Sequence, residues 1–316
     1  MSASHTENPA TRGVAEFVAN LQYEQIPEEV RHRTKRLILD ALGCGLFGAN
    51  LEWSRILQDR LGKLDATRTC SIWGTGKKLS APHAALVNGT QVQGFELDDT
   101  HLLGILHCGS VILPPLISIV EERPGMSGRE FLTAAIAGYE VGHRVGSAAT
   151  MSLFFRGFHP QGTSGTFVAA ATAARAIGLD AARFQHALGM CGSQAGGLMA
   201  AQEGAMVKRF HSGRAAQSGV YSALLARDDF TGISDALEAG YGGYLSSYSD
   251  KPAPQRLTEG LVSTWETLNV GYKPHASVTS IHTALDGLAD ILRENKLGAA
   301  DVSKLEVGLS PMTHVH

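Results

Sequence analysis

The stretch that decides the fold runs from Ala81-Pro82-His83-Ala84-Ala85-Leu86-Val87-Asn88-Gly89-Thr90, through Gly94-Phe95-Glu96-Leu97-Asp98-Asp99-Thr100-His101-Leu102-Leu103-Gly104-Ile105-Leu106-His107-Cys108-Gly109-Ser110, to Val111-Ile112-Leu113-Pro114-Pro115-Leu116-Ile117. Its first part reads as a small-residue buried helix and its last as an apolar core segment. The middle holds Glu96, Asp98, Asp99, His101, His107, Thr100 and Ser110. Acidic groups between two apolar segments cannot all stay solvated, so some must be paired, hydrogen-bonded or shifted in pKa. That pattern suits an acid/base site. A polar loop joining two core helices is the plainer reading of the same residues.

Outward from this stretch, Gly and Ala dominate the apolar segments, as in Val168-Ala169-Ala170-Ala171-Thr172-Ala173-Ala174. Small side chains let helices approach closely, so the expectation is a dense, mainly α core rather than an open sheet. Helical spacing predicts helices over 11–21, from Pro27 to Phe47, and over 54–61. Ser127-Gly128-Arg129-Glu130 is a capping box for a helix reaching Ala149. An alanine-rich helix runs to Gly178, Asp180 caps a helix over 181–190, and a further helix opens near Met206 and ends near Asp228. Thr69 to Trp73 is β-like before the turn signal Gly74-Thr75-Gly76. Residues 240–256 read as loop. A boundary is placed near 267, followed by a strand-like 269–275, a helix over 280–294, and an alternating, strand-like 304–309. That last strand finds no partner in the remaining sequence, which predicts a domain completed elsewhere.

A chain of 316 residues with formal charge −3 carries no nucleic-acid footprint and no basic block for a membrane surface. No apolar run reaches the ~20 residues of a membrane-spanning helix. Residues 1–12 do not read as a signal peptide. The four cysteines are scattered, so neither a disulfide frame nor a zinc site is expected, and a reducing, cytoplasmic compartment fits (mitochondrial for a eukaryotic protein).

Five further matches, taken together, resemble the MmgE/PrpD family of small-carboxylate enzymes. They are Glu96-Leu97-Asp98-Asp99-Thr100-His101, His107-Cys108-Gly109-Ser110-Val111, Gly157-Phe158-His159 with Gly162-Thr163, Met206-Val207-Lys208-Arg209 with His211-Ser212-Gly213, and Tyr272-Lys273-Pro274-His275. The family takes in 2-methylcitrate dehydratases, cis-aconitate decarboxylases and iminodisuccinate epimerases. The resemblance implies a large all-helical domain, 1–267, and a smaller α+β lid, of which 268–316 would be the first part with its C-terminal portion missing. It also implies a homodimer working without cofactor or metal on a small polycarboxylate. Cys108 departs from the pattern, standing where a proline is common.

Such substrates need cations to hold them and a group that moves a proton beside a carboxylate. Lys208 and Lys273 are the expected clamps, Lys208 at a helix start whose backbone amides also favour an anion. His107, His159 and His275 are the expected acid/base groups, since imidazole works near neutral pH. Asp98, Asp99, Thr100 and Thr163 are candidate substrate-binding groups; Glu96, His101 and His211 are secondary, the carboxylates pairing with Lys or His. Ser164 and Ser212 are further possible donors. A metal set of Asp98, Asp99, His101 and His107 is disfavoured by spacing, and no glycine-rich nucleotide loop follows a strand. The expected reaction is dehydration, decarboxylation or epimerisation, the opening stretch leaning towards decarboxylation or epimerisation over dehydration; a non-catalytic helical scaffold or binding protein is the alternative.

Overall fold

The computed structural model describes residues 9–309. Its helices are α1 (Pro9–Asn20), α2 (Glu28–Gly48), α3 (Glu52–Leu64), α4 (Ala81–Val92), α5 (Gly109–Glu122), α6 (Gly128–Phe155), α7 (Pro160–Ala176), α8 (Ala181–Gly192), α9 (Val207–Arg227), α10 (Tyr244–Tyr248) and α11 (His282–Asn295). Two-residue strands β1 (Cys70–Ser71) and β2 (Lys78–Leu79) pair antiparallel across the predicted glycine turn. The protein is mainly α, as the small-residue pattern predicts.

The core is organised around α7, whose residues from Pro160 to Ala174 are all buried. A helix apolar on every side must be wrapped by others, and α5, α6, α8 and α9 pack against it. Gly219 on α9 shows how close the wrapping is: a Cβ there would lie 2.4 Å from the Ala169 carbonyl carbon. Gly213, one face along, lets α9 meet α4 with only 2.2 Å between a notional Cβ and the Leu86 carbonyl oxygen. Larger side chains at either position would force the helices apart at about 1–3 kcal/mol or more.

Both predicted caps form. The Ser127 hydroxyl accepts from the Glu130 amide while Glu130 reaches back, and Asp180 accepts from the Arg183 amide. α6 breaks one residue past the predicted end, at Thr150 (φ 61°, ψ 178°). Residues 240–256 are not wholly loop, since α10 lies within them and a 3₁₀ turn at Pro254–Leu257 begins there.

The strand-like readings of 269–275 and 304–309 are corrected. The first is a 3₁₀ turn (Glu266–Asn269) followed by one antiparallel bridge, Thr100 to Gly271. The second is exposed, has no regular secondary structure and pairs with no strand among the described residues. Alternation alone does not make a strand where no neighbouring backbone offers a ladder. What ties 259–273 down is a buried ion pair on α6. Arg144 donates to the carbonyls of Glu259 and Thr264, and Glu140 accepts from the amides of Glu266 and Thr267 and from the Thr267 hydroxyl. Arg33 on α2 adds a bond to the Val270 carbonyl at 3.0 Å. Lys273 therefore arrives at the helical body on a fixed track.

Candidate active site

The loop from α4 to α5 brings its carboxylates to two lysines that lie far along the chain. Lys208, near the start of α9, donates to Glu96 at 2.9 Å, both side chains being mostly buried. Lys273 donates to the Glu96 carbonyl at 3.2 Å and lies 3.9 Å from Asp98. Burial pushes the Glu96 carboxyl up, but the charge of Lys208 and its hydrogen bond outweigh it and hold the pKa below the usual value. Asp98 has the opposite balance. It is fully buried, neither oxygen has a hydrogen-bond partner among the described residues, and burial drives its pKa well up despite Lys273.

Asp99 faces away from the lysines. Its carboxylate accepts from the Gly109 amide (3.0 and 3.2 Å) and the Tyr139 hydroxyl (2.8 Å), and burial raises its pKa to about 7. Its backbone carbonyl does the more specific work, meeting His107 Nδ1 at 2.7 Å. A carbonyl only accepts, so Nδ1 carries the proton and Nε2 is left bare. Burial, and then Lys273, press the His107 pKa down to about 3. His107 is thus a neutral imidazole of fixed tautomer beside two ammonium groups.

The backbone of His107 is held as firmly as its ring. Gln161 on α7 accepts from the His107 amide (3.0 Å) and donates to the His107 carbonyl (2.9 Å) and to Ser110 Oγ (2.8 Å). Ser110 meets Ser212 on α9 at 2.9 Å, and Ser212 donates to Gln93 at the end of α4 (2.7 Å).

His159 and His211 form a second imidazole group. Their Nδ1 atoms are 2.8 Å apart, so one donates and the other accepts. The donor ring then shows a bare Nε2 and its partner a protonated one. Burial lowers both pKa values, and Lys208 and His107 add to the depression at His159.

The remaining candidates are placed elsewhere. His101 accepts from the Gly104 amide at Nδ1 (2.9 Å), meets Glu266 through Nε2 (3.3 Å) and stacks on His143, so both nitrogens are occupied. His275 meets Asp286 on α11 at 2.8 Å and packs edge-on against His282; these contacts join it to the C-terminal segment and not to the lysines. The Thr163 hydroxyl donates back to the His159 carbonyl at 3.0 Å, which uses its proton within its own helix. Ser164 pairs with the Tyr244 hydroxyl behind α7. Thr100 bridges Gly271 through its backbone, and its half-buried hydroxyl has no partner among the described residues. The amides of Lys208 and Arg209 are taken by the carbonyls of Ala205 and Met206, so the first turn of α9 offers a side-chain cation rather than those amides.

Among the described residues no group of three or more His, Cys, Asp or Glu side chains is arranged to hold a metal ion. Asp99 turns to Gly109 and His101 to Glu266, so these two members of the disfavoured metal set face different partners.

The family model of the MmgE/PrpD N-terminal domain matches residues 12–256. The chain belongs to the MmgE/PrpD family. Among its relatives are a cis-aconitate decarboxylase-like protein, oryM, of Aspergillus oryzae, 35% identical over 92% of this chain and 63% of the relative. The cis-aconitate decarboxylase of Aspergillus terreus is 32% identical over 99% of this chain and 65% of its own length. The human cis-aconitate decarboxylase is 29% identical over 89% of this chain and 59% of its own. This MmgE/PrpD chain therefore spans less than two thirds of each of these relatives. No helix among its described residues is long and apolar enough to cross a membrane.

Sequence reasoning missed Gln161, Gln93, Tyr139 and Asp40. Asp40 lies on α2 near Lys273, half-buried, its Oδ2 without a partner among the described residues, and burial raises its pKa. A signal existed for Asp40, which sits three residues after buried Leu37 and beside buried Ala41, on the apolar stripe of its helix. For Gln161 and Gln93 there was none, since buried amides bonding to backbone leave no periodicity.

Proposed function

We propose that this chain forms the cavity of a cis-aconitate decarboxylase-like lyase that acts, without a cofactor, on a small di- or tricarboxylate. The observation that carries the reading is the neutral His107, its Nε2 bare, set beside Lys208 and Lys273 in a chain of this family. The family relatives named as cis-aconitate decarboxylases favour decarboxylation over dehydration. On this reading residues 1–267 are the helical domain and 268–316 the beginning of the lid, and the protein works as a homodimer.

Lys208 and Lys273 bind the substrate carboxylates, Lys208 exchanging part of its bond to Glu96 for the ligand. The Thr100 hydroxyl is a further donor, and Asp98, whose pKa burial raises, adds one whenever it is in its acid form. A polyanion among these groups offsets the two ammonium charges that hold the His107 pKa down, so His107 takes up a proton on Nε2 as substrate enters. The C–C bond to the departing carboxylate then breaks, its electron pair stays on carbon, and the lysines stabilise that charge. His107 Nε2–H delivers the proton to this carbon and carbon dioxide leaves. The His159–His211 pair supplies a second proton-handling group, as an epimerase needs on the opposite face of one carbon.

Incubation of the full chain with cis-aconitate, 2-methylcitrate and iminodisuccinate in D2O, followed by NMR, separates the reactions. Carbon dioxide release from cis-aconitate with one deuterium incorporated supports the proposal. Water loss from 2-methylcitrate or exchange without bond cleavage on iminodisuccinate would replace it with the sister reaction. Binding with no turnover or exchange on any of the three overturns the enzyme reading in favour of a binding protein.

A further inference from the structure

Gln161 occupies the second position of α7 (Pro160–Ala176) and is fully buried. A buried primary amide has two donor hydrogens and an acceptor oxygen to satisfy, or it costs about 1–3 kcal/mol per unmet group. Here all are met, and two of the three bonds go to one residue: the His107 amide to Gln161 Oε1, and Gln161 Nε2 to the His107 carbonyl. The third goes to Ser110 Oγ, whose single proton is shared between the same carbonyl at 2.8 Å and Ser212 Oγ at 2.9 Å. This residue of a loop is therefore gripped like one in a β ladder, by a side chain instead of a strand. The grip fixes ψ and φ about His107, and with them the direction in which its ring leaves the backbone. The ring's own bond, Nδ1–H to the Asp99 carbonyl, sets only the rotation that remains.

We propose that Gln161 is a positioning residue: its amide fork clamps both backbone groups of His107 and so aims the bare Nε2 at the carboxylate site. The clamp is joined through Ser110 and Ser212 to Gln93, so α4, α5, α7 and α9 share one hydrogen-bonded frame around the imidazole. This inference rests on the reading of His107 as the proton carrier, but its structural half is open to test without turnover.

Gln161→Met keeps the volume and deletes all three bonds; Thr166→Val, on the same helix and outside the frame, is the control. In Gln161→Met, kcat on cis-aconitate falls about 10- to 100-fold with KM changed less than about threefold, the scale expected when a catalytic group is misaimed by an ångström. By ¹⁵N NMR the His107 ring loses its single Nδ1–H tautomer, and its pKa rises from about 3 towards the ordinary value. Gln161→Glu, isosteric, is the second variant. It keeps the acceptor for the His107 amide, and when protonated it can donate one bond back. Ionised, it repels the His107 carbonyl. Its kcat relative to wild type therefore falls as pH rises through the glutamate pKa, a profile that a general loss of packing does not produce.

If Gln161→Met does not fold, Gln161→Glu carries the test through that profile. Wild-type kcat together with an unchanged tautomer and pKa in Gln161→Met, or a pH-independent ratio in Gln161→Glu, overturns the proposal. Should the wild-type chain turn over no polycarboxylate, the functional reading fails, while the NMR comparison still decides for or against the clamp.

Discussion

His101 and His107 stand six residues apart in one loop, the first buried and the second partly exposed, and have opposite fates. At His101 both ring nitrogens are spent, one accepting from Gly104 and the other meeting Glu266, and the ring face lies 3.8 Å from His143. At His107 a single nitrogen is spent on a backbone carbonyl and the other is bare. Burial alone thus does not leave an imidazole free to carry a proton. What decides is whether its second nitrogen has been given a partner, and whether the charges around it leave the ring neutral but able to gain a proton.

The contrast is broken most severely by removing the bare nitrogen. His107→Asn is expected to reduce kcat on the substrate by about 10²- to 10⁴-fold, the usual contribution of a general acid/base group; a loss below about tenfold would show that His107 does not carry the proton. Lys208→Met comes next. Removing one clamp is expected to raise KM and lower kcat/KM by about 10²-fold, on the scale of a lost charged hydrogen bond of 1.5–3 kcal/mol. Steady-state kinetics against carboxylate concentration checks it.

His101→Phe sharpens the comparison from the other side. It keeps a ring against His143 but strands the Gly104 amide and the Glu266 carboxylate, so unfolding in urea is expected to show a loss of about 1–3 kcal/mol. Activity per folded molecule is expected to fall less than about tenfold. A loss in kcat as deep as that of His107→Asn, at unchanged stability, would reverse the assignment of the two rings.

The smallest effects lie in the pH dependence of stability. The His101 hydrogen bond, against a lesser opposing effect of burial, lowers the Glu266 pKa to about 2. A carboxyl depressed in the folded state contributes stability above its unfolded value of 4.5 and loses it as pH falls through about 2. His107 acts in a higher window, because a ring kept neutral in the fold but protonated in the unfolded chain costs stability as pH drops from 6.5 towards 3. His107→Asn should therefore flatten the melting temperature between pH 6.5 and 3, and Glu266→Gln between 4.5 and 2. Identical acid profiles for both variants and wild type would contradict these environments.

Most of the helical body was legible, because close helix packing leaves a written trace in Gly and Ala, and caps are local chemistry. Lys208 and Lys273 were singled out by resemblance, and in the fold both reach Glu96. The misreadings share a cause. Residues 304–309 alternate like a strand, yet alternation reports which faces differ and not whether a ladder partner exists. Thr163 and His101 have the right chemistry, but their hydrogen-bond capacity is already spent on nearby groups, which no one-dimensional pattern shows. His275 follows Lys273 by two residues, yet it turns to Asp286 while Lys273 enters the cluster. Gln161 was invisible for the reverse reason: it looks like any polar residue in a helix's first turn, and only the fold brings it against His107.

The account's central claim is that His107 Nε2 gains its proton when a polycarboxylate offsets Lys208 and Lys273. A ¹⁵N NMR pH titration of the His107 ring, without ligand and saturated with citrate as an unreactive tricarboxylate, measures this directly. The account predicts Nδ1 protonated throughout and a pKa that climbs from about 3 by at least about one unit when citrate is bound, with the climb reduced in Lys208→Met. An unchanged His107 pKa in the citrate-saturated protein, or a ring already protonated at neutral pH without ligand, would contradict it.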